Sequence, residues 1–75
     1  MPHIIVKMFP GRSDDQKKEL AEKISKEVVD VCGCSKDAVS LSYEEIPQEE
    51  WKEKVYKPDI EDQPEKLWVK PGYKI

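Results

Sequence analysis

Apolar residues change their spacing along the chain, and each change marks an element. The run His3-Ile4-Ile5-Val6-Lys7-Met8-Phe9 is dense in apolar and β-branched side chains, which predicts a first strand from about His3 to Phe9. Pro10-Gly11 is a turn dipeptide and closes it. Ser13-Asp14-Asp15-Gln16 then has the spacing of a capping box, in which the Ser13 hydroxyl and the Gln16 amide each satisfy the other residue's backbone N–H. Acids in that first turn also suit the positive end of a helix dipole. Behind them Leu20, Ile24, Val28 and Val31 recur at three- and four-residue steps, with Ala21 and Cys32 widening the stripe. This predicts an amphipathic helix of about five turns that ends at Gly33. A second strand follows where Val39, Leu41 and Tyr43 alternate with Ser40, Ser42 and Glu44. Strand, helix, strand in that order predicts an α/β (α+β) fold built on one β-α-β unit. Its two strands lie parallel, joined by a right-handed crossover.

The last third is less regular. Pro47 to Tyr56 has helical character, with Trp51 and Val55 at helical spacing, and Pro58 and Pro64 break the pattern. A short second helix from about Pro64 is expected, because proline is tolerated in a first turn. Leu67 and Trp68 are its expected anchors, and Pro71-Gly72 its stop. No internal repeat, low-complexity segment or domain boundary interrupts the chain, so residues 1–75 are read as a single domain.

Composition changes this picture in one respect. Of 75 residues, 37% are hydrophobic and 39% charged, too little apolar surface for a comfortable core at this length. Small chains of this kind add disulfides, a metal or a partner subunit. Cys32-Gly33-Cys34 would staple almost nothing and is not the redox C-x-x-C spacing; both residues are read as reduced thiols. With His3 as the one histidine, ligands are too few for a structural zinc site. Oligomerisation remains: a homodimer is the first expectation and a hexamer the second. The sheet supports this, since two strands leave unpaired edges that a partner would complete. The net charge of −3, with lysines and acids interleaved, offers no basic patch for nucleic acid. No apolar stretch is long enough to cross a bilayer and no signal peptide precedes the first strand, so the expected location is cytoplasmic.

Candidate chemistry is concentrated at few positions. Pro2 follows the initiator methionine, and removal of Met1 would give it a free secondary amine. Attachment to the first residue of a strand would hold that amine still, where most termini fray. A fixed, partly desolvated amine can titrate near neutral pH, as a general base requires. Arg12 is the one arginine among twelve lysines. Its guanidinium fork grips a carboxylate through two parallel hydrogen bonds. It also stands before a helix N-terminus, where a cation opposes the dipole. The alternative for Arg12 is a surface pair with Asp14 or Asp15. Trp51 is either core or the apolar wall of a pocket. Trp68 and Tyr73 are read as packing residues, and His3 as a surface residue on the face opposite Ile4.

Pro2 opening a strand, with Gly11-Arg12-Ser13-Asp14-Asp15-Gln16-Lys17 opening the helix, resembles the 4-oxalocrotonate tautomerase family over about Pro2 to Trp51. The tail ending Lys70-Pro71-Gly72-Tyr73 is similar to the bacterial branch whose members are dimers acting on phenylpyruvate-like enols. The resemblance implies that Pro2 is a catalytic base shuttling a proton between enol oxygen and carbon, with no cofactor or metal. It implies that Arg12 binds a substrate carboxylate and that Trp51 is the aromatic residue of the pocket wall. One position departs from the pattern. Members that process dicarboxylates carry a second arginine near the start of strand two, where this chain has Ser40. The implied substrate is therefore a 2-keto or enol monocarboxylic acid with an aryl or alkyl end. A non-catalytic dimeric module that keeps the fold is the competing reading, and a retained Met1 would favour it.

The strand also sets a geometric condition. Pro2 and Phe9 stand seven residues apart, or about 23 Å at roughly 3.3 Å per residue. Arg12 and the approach to Trp51 lie at the far end. One subunit cannot close that gap, so each pocket is expected to take Pro2 from one chain and Arg12 with Trp51 from the other.

Overall fold

The computed structural model describes all residues from Met1 to Ile75. Strand β1 spans His3–Met8, helix α1 Asp14–Cys32 and strand β2 Ser40–Glu45. The strands are parallel, with His3 opposite Ser40 and Met8 opposite Glu45. The ladder extends one bond past each end: Ser40 N–H donates to the Pro2 carbonyl at 3.2 Å and Ile46 N–H to the Met8 carbonyl at 2.9 Å. The β-α-β unit is thus the one the apolar pattern predicts, with β1 one residue shorter because Phe9 turns out of the ladder.

Helix α1 begins and ends through local chemistry. Ser13 Oγ accepts from Gln16 N–H at 3.2 Å, and Ser13 N–H donates to Gln16 Oε1 at 3.0 Å. At the other end Gly33 adopts φ 70° and its N–H donates to the Val29 carbonyl, a left-handed cap that glycine enters without steric cost. The helix packs on the face of the sheet bearing Ile4, Val6, Leu41 and Tyr43, all half-buried. Tyr43 Oη ties the two layers together by donating to the Lys17 carbonyl at 2.7 Å. Ala21, Ile24, Val28 and Val29 supply a half-buried stripe, and Leu20, expected in it, lies at its exposed margin. Val31, at 81% exposure, and Cys32 do not belong to it. A 19-residue helix rises about 28 Å, whereas a six-residue strand covers about 20 Å. Its last turn therefore overhangs the sheet.

The chain after β2 departs from expectation. A short α2, Gln48–Trp51, runs straight on as a π-helix over Lys52–Glu61, through Pro58 instead of stopping before it. In an α-helix Pro58 would clash with the Lys54 carbonyl four residues back and leave it without a donor. The wider π winding opens that space, and Asp62 N–H closes a π-type bond on the Lys57 carbonyl at 3.0 Å. Gln63 Nε2 donates to the Pro58 carbonyl at 2.8 Å and secures the end. This segment holds the three buried residues of the molecule together: Ile46, Val55 and Tyr56. The helix expected from Pro64 is only a 3₁₀ turn, Pro64–Lys66. One turn cannot present a buried stripe, so Trp68 is not an anchor: it is 98% exposed, and Leu67 alone turns partly inward.

Candidate active site

Three elements meet where β1 ends. Phe9 leaves the strand, Trp51 closes α2, and their rings meet edge to face with centroids 5.0 Å apart. The capping box fixes where α1 starts, and so sets Arg12 just outside it. The C-terminal tail returns to the same place, where Trp51 Nε1 donates to Tyr73 Oη at 3.2 Å. The Tyr73 ring also leans on buried Tyr56, centroids 5.7 Å apart. Phe9, Arg12, Trp51, Tyr73 and Ile75 together line an open pocket of about 570 Å³, with Lys7 at its edge. That volume suits a small organic molecule.

Charge in this pocket is unevenly committed. Lys7 Nζ lies 2.6 Å from Asp59 Oδ2 and 4.0 Å from Glu44 Oε2. The hydrogen bond to Asp59 raises the Lys7 pKa against the opposing effect of burial, and the Asp59 and Glu44 charges add to it. Lys7 is therefore a fixed and already neutralised cation. Arg12 takes part in none of the chain's ion pairs; Asp14, the neighbour that sequence offers it, lies 3.8 Å from Lys17 instead. An unpaired guanidinium beside aromatic walls can receive a planar carboxylate through its fork.

The structure brings Arg12 and Trp51 together in the lining of one pocket. It places Pro2 and Ser40 together at the opposite end of the sheet, joined by the backbone bond already described. There Ser40 Oγ and His3 Nδ1 lie 2.7 Å apart on the exposed face. Pro2 is half-buried, whereas Met1 is fully exposed. Neither Pro2 nor Ser40 lines the pocket that holds Arg12. Tyr73 was expected only to pack. Nothing in its neighbours reveals the return of the tail, and the one local hint is the Pro71-Gly72 turn before it. Phe9, the last residue before the turn dipeptide, stands one residue past β1 and lines the pocket instead of the ladder.

Parallel strands flanking one long helix, with an aromatic pocket beyond β1, define a fold of the 4-oxalocrotonate tautomerase type. The crystal structure of YwhB, a homologue of 4-oxalocrotonate tautomerase, matches with a TM-score of 0.61 at 36% identity, over 63% of this chain and 77% of that one. The family described as tautomerase enzyme matches residues 2–53, and the chain belongs to it. A probable tautomerase from Xylella fastidiosa is 47% identical over 73 residues, covering 97% of this chain and 89% of that relative. Tautomerase PptA from Pectobacterium atrosepticum is 42% identical over 74 residues, covering 97% of each. The 2-hydroxymuconate tautomerase of Bacillus subtilis is 35% identical over 51 residues, 68% of this chain and 82% of that one.

Proposed function

We propose that this tautomerase interconverts the keto and enol forms of a 2-keto monocarboxylic acid, with the amine of Pro2 as its base. The observation that carries the proposal is the unpaired Arg12 guanidinium set among Phe9, Trp51 and Tyr73. It offers one carboxylate grip and an apolar wall for an aryl or alkyl end. Ser40, engaged with His3, provides no second guanidinium, which argues against a dicarboxylate.

The reaction needs one base with two tasks. In the ketonising direction the Pro2 nitrogen takes the hydroxyl proton of the enol, leaving an enolate whose charge is shared between the 2-oxygen and carbon 3. The same nitrogen returns a proton to carbon 3, and the amine is regenerated. One group serves both steps when its pKa lies near the working pH. A reference α-amino group titrates at about 7.7–8.0; an apolar wall and the Arg12 cation both lower that of a nearby amine. The amine exists only after Met1 is cleaved, and Met1 touches little that its loss would disturb. Because Pro2 and Arg12 lie at opposite ends of β1, the working pocket is read as shared between two subunits of a homodimer. A two-fold partner lying antiparallel would set one chain's strand end against the other's strand start.

Processed protein is expected to ketonise an arylpyruvate enol, and Pro2→Ala to lose about 100-fold or more in kcat/KM. A Pro2→Ala enzyme that matches the unsubstituted one across the pH profile would sink the assignment. Intact mass establishes beforehand that Met1 is absent from both.

A further inference from the structure

The tail residue Tyr73 carries a hydrogen-bond donor with nothing in the protein to receive it. Indole Nε1 only donates, so in the 3.2 Å bond between Trp51 and Tyr73 the phenol oxygen is the acceptor. Its own O–H remains uncommitted. An oxygen that already accepts one hydrogen bond is polarised and donates the next more strongly. The ring is held as well, by Trp51 on one side and by buried Tyr56 on the other. The donor is thus fixed in place beside the pocket that also contains Arg12. The other polar groups there differ. Lys7 is spent on Asp59, and the Gln48 amide at the rim is exposed and held by no bond.

A 2-keto acid has two polar groups side by side. The Arg12 fork satisfies both oxygens of the carboxylate, which leaves the adjacent 2-oxygen without a donor. That oxygen gains negative charge as the enolate forms. Fixed donors aimed at developing charge contribute more to rate than to ground-state binding.

We infer that Tyr73 binds substrate, its phenol O–H donating to the 2-oxygen of the keto acid and to the enolate that succeeds it. The inference rests on the tautomerase reading of this pocket. Tyr73 keeps its proton throughout; the proton that moves is carried by Pro2. A C-terminal residue thereby polarises the oxygen that Ser40 leaves without a guanidinium.

The test uses two ligands that differ only at the oxygen in question. Phenylglyoxylate has the 2-oxygen but no proton on carbon to enolise, and phenylacetate lacks the oxygen. In titration calorimetry Tyr73→Phe should bind phenylglyoxylate about tenfold more weakly while phenylacetate changes less than about twofold. In turnover the same variant should lose about 10- to 100-fold in kcat, and more than that in kcat/KM because binding of the keto acid weakens as well. Equal weakening of both acids would reduce Tyr73 to an anchor for the tail and overturn the inference. So would a Tyr73→Phe protein that binds both normally while Arg12→Ala loses both, an outcome that leaves the pocket reading standing. Processed wild-type protein that binds neither acid would overturn both.

Discussion

Arg12 owes its position to a serine and a glutamine it does not touch. The capping box fixes where α1 begins, and Arg12 is left one residue outside it, facing Phe9 and Trp51 with no acid in reach. A chain that uses lysine at twelve other positions places its one guanidinium where a planar anion would be gripped. If Arg12 holds the substrate carboxylate equally in ground and transition states, Arg12→Ala should raise KM about tenfold or more with little loss of kcat. Steady-state kinetics on an arylpyruvate enol measure this; an unchanged KM would return Arg12 to the role of a surface residue. Arg12 is legible as a candidate because a cation before a helix N-terminus breaks a local rule; Trp51 is legible only as core or pocket wall, and the family resemblance implies the wall. Tyr73 is not legible as a candidate. Its part in the pocket depends on a 22-residue separation from Trp51 that no local pattern encodes.

Among the elements, those with complete local instructions are the ones legible in the sequence. Helix α1 carries its start signal in Ser13 and Gln16 and its stop in Gly33, and β2 carries strict alternation. Ser13→Ala should therefore cost about 1 kcal/mol of stability, seen as a lower midpoint in urea with an unchanged slope. A smaller effect than about 0.3 kcal/mol would mean that tertiary packing, not the cap, sets the start of the helix. The segment after β2 is legible as helical from Pro47 to Tyr56, and the structure is helical through that span, but not as one winding that runs on through Pro58. Proline rules written for the α-helix predict a break before Pro58, whereas the π winding accommodates it to Glu61. Val31 failed for a different reason. Its angle on the helix is right, but the helix is longer than the sheet it covers, and periodicity contains no information about where the neighbouring layer ends.

The whole molecule is short of interior. Three residues are buried, and the chain exposes 6115 Å² where a folded monomer of this mass exposes about 4,700 Å². Its radius of gyration is 14.0 Å, against about 11 Å for a compact domain of this length. Ile5 on the sheet face away from α1, Trp68 and Val69 contribute to the excess. Sedimentation of processed protein at micromolar concentration is expected to give a dimer, and a stable monomer would contradict the shared pocket. Composition signalled the shortage of core; it contained nothing about which surfaces meet.

The central claim is that a working pocket joins Pro2 of one subunit to Arg12 of another. Its most direct test is to unfold Pro2→Ala and Arg12→Ala proteins together, refold the mixture, and assay enol ketonisation. A mixed dimer has one pocket missing both groups and one intact. Random pairing makes about half the dimers mixed, so about a quarter of wild-type activity should return from two preparations that are each nearly inactive. If mixed dimers demonstrably form and activity stays at the level of the separate variants, Pro2 and Arg12 do not act across the interface, and the shared-site account is wrong.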